Sequence, residues 1–177
     1  MGSFATESLV EVLQMAREQR TATGEKPVDY VICMAANAIR DMTAGAGRPA
    51  TAELIQVLRT DPNDGNKYMA VEALGAIGPS AREAIPFLVE AAMDTRNSEV
   101  RRFAIDALGT VTDRTAPPAS LTSSLDTLAG IVLRDSSLWM RRRAAKALAR
   151  IGPAAAGVAD ELSSEGDTLE LSVRLEV

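Results

Sequence analysis

The sequence predicts an all-α chain, an α-solenoid of stacked antiparallel helix pairs. Three observations carry that expectation. Apolar residues recur at three- and four-residue spacing through most of the chain, which is the helical period. One block of sequence returns in register several times, and self-similarity at a period of a few tens of residues marks a repeat architecture. Finally, hydrophobic residues make up 46% of the 177 residues but aromatic residues only 3%. A core of Ala, Leu, Ile, Val and Met suits closely packed helices better than a β-sandwich, which leans on aromatic and β-branched side chains.

The repeated block reads KYMAVEALGAIG at 67–78, RRFAIDALGTVT at 101–112 and RRRAAKALARIG at 141–152, with a weaker copy, ICMAANAIRDM, at 32–42. Its equivalent alanines are Ala38, Ala73, Ala107 and Ala147, separated by 35, 34 and 40 residues. The last interval is longer because of residues 110–120, which contain Pro117 and Pro118. A second amphipathic segment precedes each copy, at 9–15, 52–58, 84–92 and 125–133, and 154–162 opens a further pair. Turn signals fall between the segments: DPNDG at 61–65, Gly78-Pro79-Ser80, 95–98 and 135–137. Gly45 to Pro49 reads as a flexible turn between repeats. Pro86 lies in the first turns of its helix, where a missing N–H costs least.

The unit is therefore helix A, turn, helix B, turn. One domain is expected across 1–177, with repeats at about 3–44, 49–78, 80–112 and 119–152 and a partial one at 154–177. A lone helix pair cannot bury both of its faces, whereas stacked copies can. The Ala-x-x-Ala spacing lets neighbouring B helices approach, and Leu74, Leu108 and Leu148 fill the layer between them.

These segments resemble HEAT repeats, in particular the bacterial kind related to those of phycobilin lyases. The likeness rests on AIPFLVEAAMD at 84–94, EVRRFAIDALG at 99–109, and the closing Ile77-Gly78-Pro79 and Ile151-Gly152-Pro153. It is strong from about 52 to 152 and weak before 45. The resemblance implies a protein-binding scaffold more than an activity. It also implies a ladder of an Asp in the A–B turn and a basic residue early in helix B. The candidates are Asp61 with Lys67, Asp94 with Arg101, Asp135 with Arg141, and Asp167 with Arg174. Such a ladder either fixes the stacking of repeats or forms a charged binding ridge. Ile32 stands where the first copy should carry its basic residue, as a capping repeat would allow.

Composition removes several functions. The chain has no His and a single Cys, Cys33. A Cys/His zinc site, a His-dependent triad and an intramolecular disulfide are all excluded. Cys33 reads as a buried structural thiol. The carboxylates of Asp160 and Glu161 lie on an expected helix with no sign of a pocket, and Gly45 to Pro49 lacks the Lys-Ser/Thr of a phosphate loop. No catalytic residue, cofactor or metal is expected. No apolar run is long enough to cross a bilayer and no signal core follows the first residues, so a cytoplasmic setting is expected.

The candidate contacts lie on the B helices, which line the inner surface of such arrays. Glu72 and Asp106 hold equivalent positions, and Asn37 and Lys146 share their register. With Arg102 and Arg143 they make a candidate surface for a protein or peptide partner, against the plainer reading of a solvated face. Arg141, Arg142, Arg143, Lys146 and Arg150, with Trp139 just before them, form the densest basic stretch. That stretch supports an alternative, nucleic-acid binding. The net charge of −5 argues against it. A second alternative, a bilin-lyase-like accessory protein, is opposed by the shortage of aromatic residues. Finally, residues 171–177 resemble the start of another B helix. They imply either a fragment of a longer solenoid or a degenerate cap, and a cut array would leave an apolar end available for self-association.

Overall fold

The computed structural model describes residues 47–158, together with 8, 10–16, 18, 19, 34 and 38. Ile32, Cys33, Asn37, Asp160, Glu161, Asp167, Arg174 and the 171–177 segment lie outside the described residues. Six α-helices run through 47–158: α1 (Gly47–Thr60), α2 (Asp64–Ile77), α3 (Ile85–Met93), α4 (Ser98–Val111), α5 (Pro118–Arg134) and α6 (Leu138–Ile151). Short 3-10 segments, Gly78–Ala84 and Gly152–Ala155, follow α2 and α6. Among the described residues there is no strand.

The helices alternate as A and B. Each B helix begins on a polar cap. Asn63 accepts a hydrogen bond from the Gly65 N–H, Asn97 from the Glu99 and Val100 N–H groups, and Ser137 from the Met140 N–H. Each satisfies donors that the first turn leaves unpaired. An Asp precedes each cap and folds the turn back on itself. Asp61 accepts from the Asn63 N–H at 2.8 Å, Asp94 from Arg96 at 3.0 Å and Asp135 from Ser137 at 2.8 Å.

The B-helix ends explain the uneven repeat spacing. At α2 and α6 the cap is Gly78 or Gly152, with φ of 68° and 71°. Only glycine takes this backbone without strain. The proline that follows sends the chain straight into a 3-10 turn. At α4 the cap is Thr112, in extended conformation. Asp113 holds the Thr115 N–H at 2.9 Å and the chain takes a longer path before α5. Helix α5 starts earlier than its apolar pattern suggests, at Pro118, whose fixed φ suits the first helical position. The turn expected at Gly45 to Pro49 is corrected in the same way: Gly47, Arg48 and Pro49 already belong to the first turn of α1.

Packing runs between neighbours. Each A helix lies against its own B helix, α2 packs on α4, and α4 packs on α6. The A helices α1, α3 and α5 touch one another far less. Small residues cause the difference. A Cβ on Gly75 would come within 3.2 Å of the Ala107 Cβ, and one on Gly109 within 2.7 Å of the Ala147 Cα. The B helices are thus almost backbone to backbone, and the Thr110 hydroxyl donates across this interface to the Gly75 carbonyl at 2.9 Å. The B layer is therefore packed more tightly than the A layer. Leu54, Leu74, Leu88, Leu108, Leu128 and Leu148 are buried between the layers. The helical residues at 10–16 join the same core through Val10, Leu13 and Ala16, and Gln14 donates to Glu53 of α1 at 2.9 Å.

Gly109→Ala tests the close approach. Alanine should favour the helix by about 1 kcal/mol, but overpacking costs roughly 1–3 kcal/mol. Urea unfolding should show a net loss of stability, smaller for Gly75→Ala. A gain in stability at Gly109 would mean that the B helices are not held this close.

Candidate functional site

The B helices present an outward row that the repeat register places side by side. It consists of positions 65, 68, 69 and 72 on α2, 99, 102, 103 and 106 on α4, and 139, 142, 143 and 146 on α6. Three of the chain's six aromatic residues, Tyr68, Phe103 and Trp139, gather there. The Tyr68 and Phe103 rings stack with centroids 5.3 Å apart and planes 17° from parallel. The Arg102 guanidinium lies over Phe103 at 4.3 Å and over Trp139 at 5.6 Å. The Arg143 guanidinium also lies over the Trp139 ring, at 4.1 Å. The result is a continuous ribbon across three repeats, Tyr68–Phe103–Arg102–Trp139–Arg143. Trp139 is 47% exposed. Cation–π contacts of this kind hold the rings flat and cover the arginine Nε atoms. The Nε atoms of Arg102 and Arg143 are buried without a hydrogen-bond partner.

The structure sorts the candidate residues. Arg143 forms an ion pair with Asp106 of the preceding repeat, so two of the expected partner contacts engage each other. Arg102 pairs with Glu99 at 2.5 Å. Glu72 is half-buried on α2 and Lys146 exposed on α6. The sequence reading missed the ribbon itself. Its signal was present: Tyr68, Phe103 and Trp139 fall within one helical turn of the same register. Counting aromatic residues over the whole chain hides that clustering.

The ladder residues run along a different edge, at the A–B turns, and the expected in-repeat pairs give way to others. Asp135 is gripped by Arg101 of the preceding repeat, not by Arg141. Arg101 also donates from Nε to the Ala92 carbonyl at 2.9 Å, so it ties α3, α4 and the next turn together. The pair is secluded, with side-chain exposures of 13% for Arg101 and 5% for Asp135. Asp94 is held instead by Arg96 in its own turn, at 2.8 and 2.7 Å. Lys67 reaches Asp64 at 3.6 Å, and Asp61 accepts from the Asn66 side chain at 3.2 Å. Arg141 holds the Arg101 position on α6, but its Nε is buried without a hydrogen-bond partner. The reason is geometric: an Arg near the start of a B helix points toward the following repeat, so its nearest turn Asp is the next one along.

A groove of about 590 Å³ lies between the second and third repeats, lined by Arg59, Lys67, Phe87, Met93, Asp94 and Arg96 among others. The Arg96 side chain, then its backbone N–H, pulls the Asp94 carboxyl down to about 2. The Thr115 hydroxyl likewise lowers Asp113. Among the described residues, no group of three His, Cys, Asp or Glu side chains could hold a metal ion. No helix there is long and apolar enough to cross a membrane.

Fold and face together define an α-solenoid repeat protein whose outward B-helix row is ringed with aromatic and charged side chains. Residues 51–127 match the family model for HEAT repeats, and that stretch is built of HEAT repeats. No curated protein matches the chain in sequence. Among solved structures, the chain is similar to one in the complex of CpcE and CpcF of phycocyanin lyase from Nostoc sp. PCC7120. The identity is 21%, the coverage 97% of this chain and 95% of that one, and the TM-score 0.58. It is also similar to an engineered protein, at 18% identity, with 98% and 86% coverage and a TM-score of 0.56. At these identities the likeness concerns the fold.

Two predictions distinguish the rungs. Asp135→Ala leaves Arg101 secluded and unpaired, and should cost about 3 kcal/mol in chemical unfolding. A loss near zero would show that Arg101 is solvated. For Asp94, the folded value lies below the unfolded one. Its stabilisation is present above the ordinary carboxylate range and is lost as pH falls through about 2. In an NMR titration, Arg96→Ala should return Asp94 toward roughly 3.9; an unchanged value would place the cause elsewhere.

Proposed function

We propose that this protein is a non-catalytic scaffold that binds a protein or peptide on the face formed by α2, α4 and α6. One observation carries the reading: an exposed Trp139 with two arginine guanidinium groups over its ring, at the end of a ribbon of rings that crosses three repeats. Trp, Tyr and Arg are the side chains most often found at the energetic centres of protein interfaces. They present rigid apolar area with a polar edge and lose little entropy on binding. The match to HEAT repeats at 51–127 fits a protein partner.

Nucleic-acid binding through 141–150 draws less support. Arg143 is engaged by Asp106, and Glu99 and Asp106 lie on the same face. A lyase-accessory role would rest on the fold likeness to the phycocyanin lyase structure at 21% identity.

The test is affinity capture with quantitative mass spectrometry. It compares the wild-type chain with Trp139→Ala, and with Arg134→Glu as a control on the A layer. A protein captured by wild type and control but reduced about tenfold with Trp139→Ala is the expected result. Equal capture by all three chains contradicts a B-face site. Circular dichroism should show the same helicity throughout, because Trp139 stands outside the core.

A further inference from the structure

Charge is distributed unevenly along the B face, and the unevenness describes the partner. Helix α6, LWMRRRAAKALARI, carries five basic residues and no acidic one. Trp139, Arg142, Arg143, Lys146 and Arg150 recur at three- and four-residue spacing, so they share one side of the helix over roughly 16 Å. The charge of Arg143 is met by Asp106. Arg142 and Arg150 are exposed. The register-equivalent positions on the other B helices are uncharged or paired: Tyr68 and Arg102 match Arg142, and Ala76 and Thr110 match Arg150. Glu72 and Asp106 stand where α6 has Lys146. The face is therefore most cationic at α6 and carries its carboxylates, Glu72, Glu99 and Asp106, on α2 and α4, with the rings running across all three helices.

We propose that the partner of this face is an acidic amphipathic peptide segment. Its carboxylates sit on Arg142 and Arg150, and its apolar side chains lie on the Trp139–Phe103 part of the ribbon. This deepens the scaffold reading and rests on it. Arginine on the rim of an aromatic platform matches carboxylate geometry in two parallel hydrogen bonds. The polarity of the face selects a peptide over a nucleic acid. A peptide can confine its negative charge to one end. A phosphate backbone carries charge at every step, and beyond α6 it would meet arginines already neutralised by Glu99 and Asp106, together with the Glu72 carboxylate.

The test uses the full chain and three probes: a short peptide with glutamates on one helical side and leucines on the other, its glutamine-for-glutamate twin, and a duplex DNA. Trp139 is the only tryptophan, so its fluorescence reports binding at the site itself. The glutamate peptide should shift the emission and saturate, and should weaken with salt. Arg142→Glu with Arg150→Glu should reduce its affinity by about tenfold or more. The milder Arg142→Gln with Arg150→Gln should reduce it less, at unchanged helicity. Arg134→Glu should leave it unchanged. Equal binding of the glutamine twin, indifference to Arg142 and Arg150, or no binding of the glutamate peptide each overturns the inference. Binding of the duplex in place of the peptide overturns it too and assigns the face to nucleic acid. The scaffold reading fails on a different result, capture that ignores Trp139.

Discussion

Everything in this molecule depends on how closely one B helix lies against the next. Gly75 sits against Ala107, and Gly109 against Ala147, at distances that leave no room for another methyl group. That contact makes the B layer the tight one, while the A helices touch one another far less. It also sets the function-bearing surface. Side chains on successive B helices come near enough to stack, so that rings and guanidinium groups from three repeats form one ribbon. With bulkier residues at 75 and 109 the same Tyr68, Phe103, Arg102 and Trp139 would stand as separate side chains.

The edges of the stack show a division of labour among charges. Arg101 and Asp135 are secluded, and each is satisfied by more than one partner. Such a pair stabilises chiefly by not being broken, since removal of either member strands the other. Asp94 and Arg96 are an exposed counterpart within one turn, where solvent screens most of the attraction. The two rungs look alike in sequence and differ in consequence. The groove between the second and third repeats lies where the counterpart of the Arg101–Asp135 rung is absent, because Lys67 pairs with Asp64 and Asp94 with Arg96.

Much of this was legible in the residues. The helical period, the in-register Ala-Leu blocks and the Gly-Pro punctuation led to the helix pairs, and the resemblance to HEAT repeats agreed with them. The starts of α1 and α5 were not legible, because Pro49 and Pro118 look like turn signals while serving as first-turn helical residues. The ladder partners were missed because sequence spacing suggests pairing within a repeat, whereas the B-helix arginine reaches forward to the next turn. The Asp106–Arg143 pair, 37 residues apart, needs the stacking register before it can be seen. The aromatic ribbon was within reach: aligning Tyr68, Phe103 and Trp139 on the repeat brings them to one face, even though rings are scarce overall.

The central claim is that stability passes from repeat to repeat, along a continuous core in which each helix touches mainly its neighbours. Native-state hydrogen exchange on Leu148→Ala tests it most directly, because Leu148 is buried in the layer between α5 and α6 and lies far from α1. The account predicts faster exchange at the amides of α5 and α6, a smaller change in α4, and little change in α1 and α2. Equal acceleration from α1 to α6 would contradict it, and would make the molecule a bundle with a single cooperative core.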